Sequence, residues 1–192
     1  MNIGIIVLLL LAQLPFPGPN SPYSHAAVKS DTFPGSSLSS NWTVVTGAFS
    51  VASNTVYGNN SGANSLAYWN AYDPGADQYS QATLTSVGAG SPQGPAVRIQ
   101  TGSTSGYYCK CTSASCQLYR MDSGTESFLG TSAPNAAGDV IKLNITGSSL
   151  TCYKNGSSII TATDSTYSTG KPGIFANGNT SVNPMGTWST GP

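Results

Sequence analysis

Apolar and polar side chains alternate along most of the chain after Asp31, which is the pattern of β-strands that bury one face. The clearest segment is 139–146, in which Ile141 and Leu143 fall on one face and Lys142 falls on the other. No window in this region carries a convincing helical period. The pattern therefore predicts a succession of strands without helices.

Runs of Gly, Asn and Ser separate the alternating segments, as is typical of hairpin turns. The predicted strands lie near 42–46, 48–52, 55–58, 65–69, 78–87, 94–101, 106–111, 116–121, 126–130, 139–146, 149–154, 157–163, 172–176 and 184–189. Successive hairpins, with no helices to carry parallel crossovers, favour an antiparallel sandwich or barrel. We predict one all-β domain over residues 27–192, since the chain length suits a single domain.

The first 26 residues differ from the rest of the chain, because an apolar run from Ile5 to Leu14 is followed by a proline-rich stretch. A helix needs roughly 20 apolar residues to span a bilayer, and this run is shorter. It is typical of a secretory signal peptide, and Ser24 and Ala26 supply small residues for cleavage. We predict that residues 1–26 are removed and that the secreted chain has no membrane span after processing.

The chain is nearly uncharged and contains little catalytic chemistry. It has seven basic and seven acidic side chains, a formal net charge of +0, and one histidine. Nucleic-acid binding requires a basic patch, so this composition excludes it. The histidine, His25, lies in the predicted signal peptide, which excludes Ser-His, Cys-His and His-ligated zinc sites from the secreted chain.

Four cysteines in an exported chain indicate two disulfides, and the sequence permits three pairings. Cys111 and Cys116 flank a four-residue loop between alternating segments, so a bridge across that hairpin is geometrically reasonable. Cys109 would then pair with Cys152. The alternative, a metal site, is disfavoured because this spacing matches no common zinc motif.

Several short motifs follow one another in an order that resembles a known superfamily. They are Asp31-Thr32-Phe33, Asn41-Trp42, Asp77-Gln78-Tyr79, Val97-Arg98, Gly106-Tyr107-Tyr108, Leu118-Tyr119-Arg120, Gly138-Asp139-Val140 and Gly170-Lys171-Pro172-Gly173. In this order they resemble the concanavalin A-like lectin/glucanase superfamily, in its laminin-G-like branch. The resemblance implies a jelly-roll sandwich of two antiparallel sheets, one of them concave, in a group whose members often bind or cut carbohydrate.

The chain departs from the superfamily at the residues that perform chemistry. Its glucanases carry two glutamates on one strand, whereas this chain has only Glu126, which we expect to be a solvated strand-edge residue. Many laminin-G-like relatives hold calcium with an early aspartate and with acids near the last strand. Asp31 is the one candidate calcium ligand, because the closing segment before Trp188 contains no acid. We therefore expect no cofactor other than calcium at Asp31, and no enzyme activity.

Aromatic, amide and hydroxyl side chains suit carbohydrate recognition, which needs no strong charge. The loop 68–77 combines such groups, and binding residues concentrate on loops. On the concave sheet, alternation is expected to turn side chains of two neighbouring strands outward towards this loop. The predicted carbohydrate-binding residues are Trp69, Tyr72, Tyr79, Gln81, Arg98 and Gln100.

These observations favour a secreted carbohydrate-binding or adhesive module without catalytic activity, whose partner is a carbohydrate or a component of an extracellular matrix or envelope. One alternative is a structural protomer of an extracellular assembly, since exposed edge strands and low charge permit self-association. Another alternative is a glycoside hydrolase that uses an unrecognised pair of carboxylates. The sequence leaves all three open.

Overall fold

The computed structural model describes residues 27–179 and 183–192, so the predicted signal peptide lies outside the described residues. All strand pairs between the described residues are antiparallel. The strands are β1 Lys29–Asp31, β2 Trp42–Thr46, β3 Phe49–Ala52, β4 Thr55–Trp69, β5 Gln78–Leu84, β6 Gln93–Ile99, β7 Gly106–Cys111, β8 Cys116–Asp122, β9 Thr125–Thr131, β10 Val140–Thr146, β11 Ser149–Lys154, β12 Ser157–Thr163, β13 Lys171–Asn179 and β14 Met185–Gly191. The all-β prediction is confirmed. Across the described ranges, no helix is long and apolar enough to cross a bilayer.

The strands form two layers, which confirms the predicted jelly roll of antiparallel sheets. Sheet A has the order β12-β11-β10-β5-β14, with β1 also paired to β14. Sheet B has the order β2-β4-β13-β6-β7-β8-β9. The long strand β4 connects the two, because its beginning pairs with β3 and β14 and its end pairs with β2 and β13.

The main core lies between the sheets and is centred on three tryptophans. The ring centroids of Trp42 and Trp188 are 4.7 Å apart, and Trp69 lies 5.2 Å and 5.3 Å from them. Burying such large rings supplies much of the apolar area that stabilises a small sandwich. The inward-facing residues of β10, including Ile141 and Leu143, are fully buried against this cluster, as the alternation predicted.

Both predicted disulfides are present. Cys109 of β7 is bonded to Cys152 of β11, so this bridge joins sheet B to sheet A through the core. Cys111 and Cys116 close the hairpin between β7 and β8. No described cysteine is free, and the metal alternative is therefore wrong for these residues.

Strand β4 is longer than the sequence suggests. The prediction stopped at residue 58 and resumed at 65, because the intervening Asn, Ser and Gly residues favour a turn. In the structure the strand is continuous, since Asn64 pairs with Asn177 and Asn60 pairs with Gly178 of β13. A shift in register between these two pairs absorbs the intervening residues.

Sheet B curls until its distant strands touch. Asn64 of β4 donates a hydrogen bond of 3.1 Å to Glu126 of β9, although four strands separate β4 from β9. At about 4.8 Å between neighbouring strands, a flat sheet would hold these strands roughly 24 Å apart. The curled face, which we call the concave face, is filled by a second cluster of buried side chains. Its members are Leu66, Ala96, Ile99, Tyr108, Met121 and Phe175.

Candidate functional site

Loops meet at one end of the sandwich and enclose an open cavity of about 550 Å³, which we call the loop-end pocket. It is bounded by the loop that follows β4, the loop that follows β6 and the start of β13. The lining residues are Asp73, Gly75, Ala76, Gln100, Thr101, Thr169, Gly170 and Lys171. Nearly all of them are polar residues or glycines, so hydrogen-bonding groups are present on each wall of the pocket.

Arg98 lies beneath the loop-end pocket and holds two of the loops at this end of the sandwich. Its Nε and Nη2 donate hydrogen bonds of 3.0 and 2.8 Å to the carbonyl oxygen of Ala76, and its Nη1 donates one of 2.8 Å to the carbonyl oxygen of Tyr167. The planar guanidinium presents its N–H groups in a fixed fork, which suits such simultaneous contacts. Arg98 thereby ties the loop after β4 to the loop before β13.

A β-bulge explains why Arg98 points towards the loops. Alternation would place Val97 and Ile99 on the same face and turn Arg98 to the opposite face. In the structure, Arg98 has a φ of 48° and the register against β13 shifts beside it. Val97 then packs into the main core, whereas Ile99 packs into the second cluster on the concave face. Arg98 is only 1% exposed, so the prediction that its side chain points outward is wrong.

Two glutamines complete the support of the pocket. Gln78 donates hydrogen bonds of 2.8 and 2.9 Å to the carbonyl oxygens of Gly75 and Gly170, and it accepts one from the backbone N–H of Arg98. Gln100 donates to the carbonyl oxygens of Arg98 and Thr169, at 3.0 and 2.7 Å. These bonds connect the pocket walls to the strands below them, so the walls are held in place before any ligand arrives.

Gly170 allows the pocket wall to approach the bulge. Its φ is 145°, which favours glycine, and a Cβ at this position would lie 2.5 Å from the carbonyl carbon of Arg98. Real side chains do not tolerate a contact of that length to backbone atoms. The glycine is therefore required for the close packing of the two segments that Arg98 ties together.

Two residues of the pocket lining form an ion pair. Lys171 Nζ lies 3.0 Å from Asp73 Oδ2, and the Asp73 side chain is 67% exposed. The backbone N–H of Gly75 and the ammonium of Lys171 lower the pKa of Asp73, so the carboxylate is ionised at neutral pH. The charges of Asp73 and Lys171 cancel, so this pair gives the site no net charge. Together with the hydroxyl groups of Thr101 and Thr169, the pair supplies both hydrogen-bond donors and hydrogen-bond acceptors. Such a set of groups matches the hydroxyl groups of a polyol.

A hydrogen-bonded cluster fixes the loop before β13 from its other side. Asp164 accepts hydrogen bonds from the Tyr107 hydroxyl at 2.7 Å, from Arg120 at 2.6 Å and from the backbone N–H of Thr166 at 2.9 Å. Burial opposes ionisation of Asp164, but these bonds outweigh it and lower its pKa to about 2. Burial, together with the neighbouring Asp164 carboxylate, raises the pKa of Tyr107 to about 12.

The structure divides the six predicted carbohydrate-binding residues among three environments. Gln100 lines the loop-end pocket and Arg98 lies beneath it. Tyr79 and Gln81 lie on β5 of sheet A, whereas Arg98 belongs to β6 of sheet B. The prediction that these strands present one continuous binding surface is therefore wrong.

Trp69 and Tyr72, the two aromatic contacts predicted in the segment 68–77, pack inward. Trp69 is 6% exposed and belongs to the tryptophan cluster of the main core. The inter-sheet core covers its ring, so Trp69 does not present that ring on the molecular surface, as the prediction assumed. Tyr72 is partly buried against the same core, and Lys29 Nζ lies 5.7 Å from the centroid of its ring.

Asp31 is a structural carboxylate. Its Oδ1 accepts a hydrogen bond of 2.7 Å from the backbone N–H of Phe33, and its Oδ2 accepts one of 2.8 Å from the indole N–H of Trp42. Across residues 27–179 and 183–192, no group of three or more acidic, cysteine or histidine side chains could hold a metal ion. The residues around Asp31 therefore do not fit the several carboxylates that calcium usually requires.

Glu126 is not the solvated edge residue that the sequence suggests. Its carboxylate accepts hydrogen bonds from Asn64, from the Tyr108 hydroxyl and from Lys110, whose Nζ lies 3.0 Å from Oε2. Burial opposes its ionisation, but the bonds from Tyr108 and Lys110 outweigh it and lower the pKa of Glu126. The ionised carboxylate of Glu126 therefore joins β4, β7 and β9 across the concave face through these hydrogen bonds. It lacks the raised pKa of a general acid.

The sequence did not reveal the full lining of the loop-end pocket. Asp73 lies in the loop that was singled out, but its partner Lys171 lies 98 residues further along the chain. Thr101 and Thr169 carry no sequence signal that separates them from the many other threonines of the chain. Proximity in the fold, which connects the ends of β6 and β13, brings these residues together.

No protein-family model matches the sequence, and no curated protein matches it. Solved structures do match the fold. The carbohydrate-binding module CBM66 from Bacillus subtilis matches with a TM-score of 0.59 at 17% identity, over 79% of this chain and 92% of that one. The exoplasmic/lumenal domain of VIP36, bound to Ca²⁺ and Man3GlcNAc, matches with a TM-score of 0.60 at 9% identity, over 84% and 86%.

An enzyme has a similar fold. A prokaryotic β-1,3-1,4-glucanase (lichenase) derived from a mouse hindgut metagenome matches with a TM-score of 0.56 at 8% identity, over 85% of this chain and 97% of that one. At such identities the likeness concerns the fold, and binding modules, lectins and glycosidases share it. The function of this chain therefore depends on its own residues.

Proposed function

We propose that this chain, which has the concanavalin A-like lectin/glucanase fold, is a secreted module that binds carbohydrate in its loop-end pocket and does not cleave it. The observation that carries the proposal is a pocket lined by hydrogen-bonding side chains, whose walls are fixed from below by Arg98, Gln78 and Gln100. A pre-organised site loses little conformational freedom on binding, which favours affinity for a hydrophilic ligand.

The chemistry of the pocket supports a neutral saccharide. The carboxylate of Asp73 accepts hydrogen bonds, the ammonium of Lys171 donates them, and the hydroxyl groups of Thr101 and Thr169 can do both. A ligand rich in hydroxyl groups can satisfy all of these at once. The fold adds support, since a carbohydrate-binding module and a domain solved with Man3GlcNAc share it.

The described carboxylates support a role without hydrolysis. Retaining and inverting glycosidases place two carboxyl groups on either side of the scissile bond. The groups that contact Glu126 are an amide, a phenol and an ammonium. The exposed Asp73 carboxylate is paired with an ammonium and ionised, which suits hydrogen-bond acceptance more than proton donation.

Export is supported by the two disulfides, which form and persist in oxidising compartments. The surface chemistry is consistent with this location, because the chain relies on hydroxyl groups and amides more than on charge. A carbohydrate of a matrix or an envelope is a partner that such a compartment offers.

A glycan array with residues 27–192 tests the proposal. The wild-type chain is compared with Thr101→Trp, which fills the pocket with a large side chain, and with Thr125→Trp, which places the same side chain at the exposed start of β9. We expect array signals for the wild type and Thr125→Trp and their loss in Thr101→Trp. Signals that survive Thr101→Trp, or the absence of any signal from the wild type, would contradict the proposal.

A further inference from the structure

The outer face of sheet A carries a second polar surface, which shares no lining residue with the loop-end pocket. Ladder partners align side chains across its strands in two rows. The first row contains Ser189, Gln81, Lys142, Tyr153 and Ser158. The second row contains Gly191, Tyr79, Asn144, Thr151 and Thr161. Amides, hydroxyl groups and tyrosine rings therefore cover five neighbouring strands.

Lys142 stands at the centre of this face between two aromatic rings. Its Nζ lies 4.2 Å from the ring centroid of Tyr79 and 5.8 Å from that of Tyr153. Gln81 is its direct neighbour on β5. The rings hold the ammonium by cation–π attraction, which fixes its position without neutralising its charge.

The charge of Lys142 has no acidic partner on the described part of the chain. By contrast, Lys110 and Lys171 of sheet B pair with carboxylates. Lys142 forms no ion pair with any residue in 27–179 or 183–192. A fixed positive charge without a protein counter-charge is a ready contact for an anionic ligand group.

A shallow cavity of about 350 Å³ lies beside the ammonium. It is lined by Gln81, Val140, Lys142, Tyr153 and Gly156, so an amide, an ammonium and an aromatic ring converge on it. An amide can hydrogen-bond sugar hydroxyl groups, and a tyrosine ring can pack against the apolar face of a sugar.

We propose that Lys142, Gln81, Tyr79 and Tyr153 form a second binding site, which takes a saccharide that bears a carboxylate, as in a uronic acid. The ammonium of Lys142 pairs with the carboxylate, Gln81 meets neighbouring hydroxyl groups, and Tyr153 packs against the ring. A single positive charge among neutral groups selects one carboxylate within a sugar chain and does not suffice for a polyphosphate backbone.

This site is independent of the loop-end pocket, because it lies on sheet A and shares no lining residue with the pocket. The two sites can therefore be tested separately. If the chain binds neutral sugars at the pocket and acidic sugars at sheet A, it can attach to two components of one polysaccharide matrix.

Calorimetric titration with oligogalacturonate tests the proposal, with fully methyl-esterified oligogalacturonate as the uncharged probe. We expect the wild type to bind the acid and to bind the ester at least roughly tenfold more weakly, as is typical for loss of a charged hydrogen bond. Affinity for the acid should also fall as salt is raised from 0.01 M to 0.15 M, because salt screens the exposed charge.

Matched variants locate the site. Lys142→Gln should weaken oligogalacturonate binding roughly tenfold, and Lys142→Arg, which keeps the charge, should retain most of it. Lys154→Gln removes the same charge elsewhere, since Lys154 Nζ contacts the carbonyl oxygen of Pro134, and it should leave binding unchanged. Thr101→Trp should also leave it unchanged.

Three results would overturn the proposal. They are no binding of oligogalacturonate by the wild type, equal binding of the acid and the ester, and equal loss in Lys142→Gln and Lys154→Gln. Melting temperatures of the variants show whether a lost affinity reflects a lost fold. Thr101→Trp blocks only the loop-end pocket, so its effect is measured separately from that of Lys142→Gln. A negative result at one site therefore leaves the proposal for the other site intact.

Discussion

Arg98 and Ala76 are joined by two hydrogen bonds from one guanidinium to one carbonyl oxygen, at 3.0 and 2.8 Å. Asp77, which follows Ala76 and is 57% exposed in its side chain, lies 3.9 Å from the same guanidinium. The short contacts are thus to the backbone, and the charge pair is the longer one. This relationship gives Arg98 a role in the support of the loop-end pocket.

Arg98→Lys should destabilise the fold, although it keeps the charge. Lysine cannot reproduce the fork, so the carbonyl groups of Ala76 and Tyr167 would lose their partners, and the new ammonium would stand where the buried guanidinium stands in the wild type. We expect the free energy of unfolding to fall by about 2 kcal/mol, which urea unfolding measures. A change below about 0.5 kcal/mol, the usual size for a surface substitution, would contradict this role.

The class of fold was predictable because it depends on local pattern. Alternation in β10 and the turn at Asn155 and Gly156 gave strands that the structure has, and the ordered motifs indicated the concanavalin A-like fold that the solved structures share. The continuous course of β4 was not predictable, since the pairing of Asn64 with Asn177 outweighs local turn preference.

The site was predictable only in part. Alternation singled out Gln100 and composition singled out the loop that holds Asp73, and both residues line the pocket. The orientation of Arg98 could not be inferred, because one bulge residue with a positive φ reverses the alternation from which orientation is deduced. The burial of Trp69 likewise depends on its packing against Trp42 and Trp188, which are distant in the sequence, so no local pattern predicts it.

The two disulfides should contribute unequally to stability. The bridge from Cys109 to Cys152 spans a sequence separation of 43, and the bridge from Cys111 to Cys116 spans 5. Constraint of the unfolded chain grows with loop length and amounts to about 4 kcal/mol for the long loop and about 2 kcal/mol for the short one. We expect the Cys109→Ala, Cys152→Ala double variant to melt well below the Cys111→Ala, Cys116→Ala double variant. The reverse order in calorimetry would contradict this expectation.

Asp164 should make stability depend on pH in the acidic range. Its pKa is lowered from 3.8 to about 2 in the folded protein, so the folded state favours the ionised form. The resulting stabilisation, about 2 kcal/mol, is present above pH 4 to 5 and is lost as pH falls through about 2.

Asp164→Asn provides the comparison. The difference in unfolding free energy between the wild type and Asp164→Asn should be large at pH 7 and should shrink at pH 2, in urea titrations at both values. Asp73→Asn serves as a control, because the Asp73 side chain is largely exposed and its ion pair is screened by solvent. An equal difference for Asp164→Asn at both pH values would show that its ionisation does not stabilise the fold.

Processing should remove the N-terminal segment. The apolar run is too short to anchor the chain, and Ser24 and Ala26 fit the small residues of a cleavage site. We expect N-terminal sequencing of the exported protein to begin near Ala27. Exported protein that retains Met1 would contradict the signal-peptide prediction.

The central claim, that the loop-end pocket binds a saccharide, is tested most directly by calorimetric titration of an array-identified glycan against Thr101→Ala and Thr125→Ala. Both variants remove one exposed threonine hydroxyl group, but only Thr101 lines the pocket. Loss of one hydrogen bond should cost about 1 kcal/mol, which corresponds to roughly fivefold in Kd. We predict that Thr101→Ala weakens binding by this factor while Thr125→Ala binds like the wild type; equal affinities in all three proteins, with unchanged melting temperatures, would contradict the account.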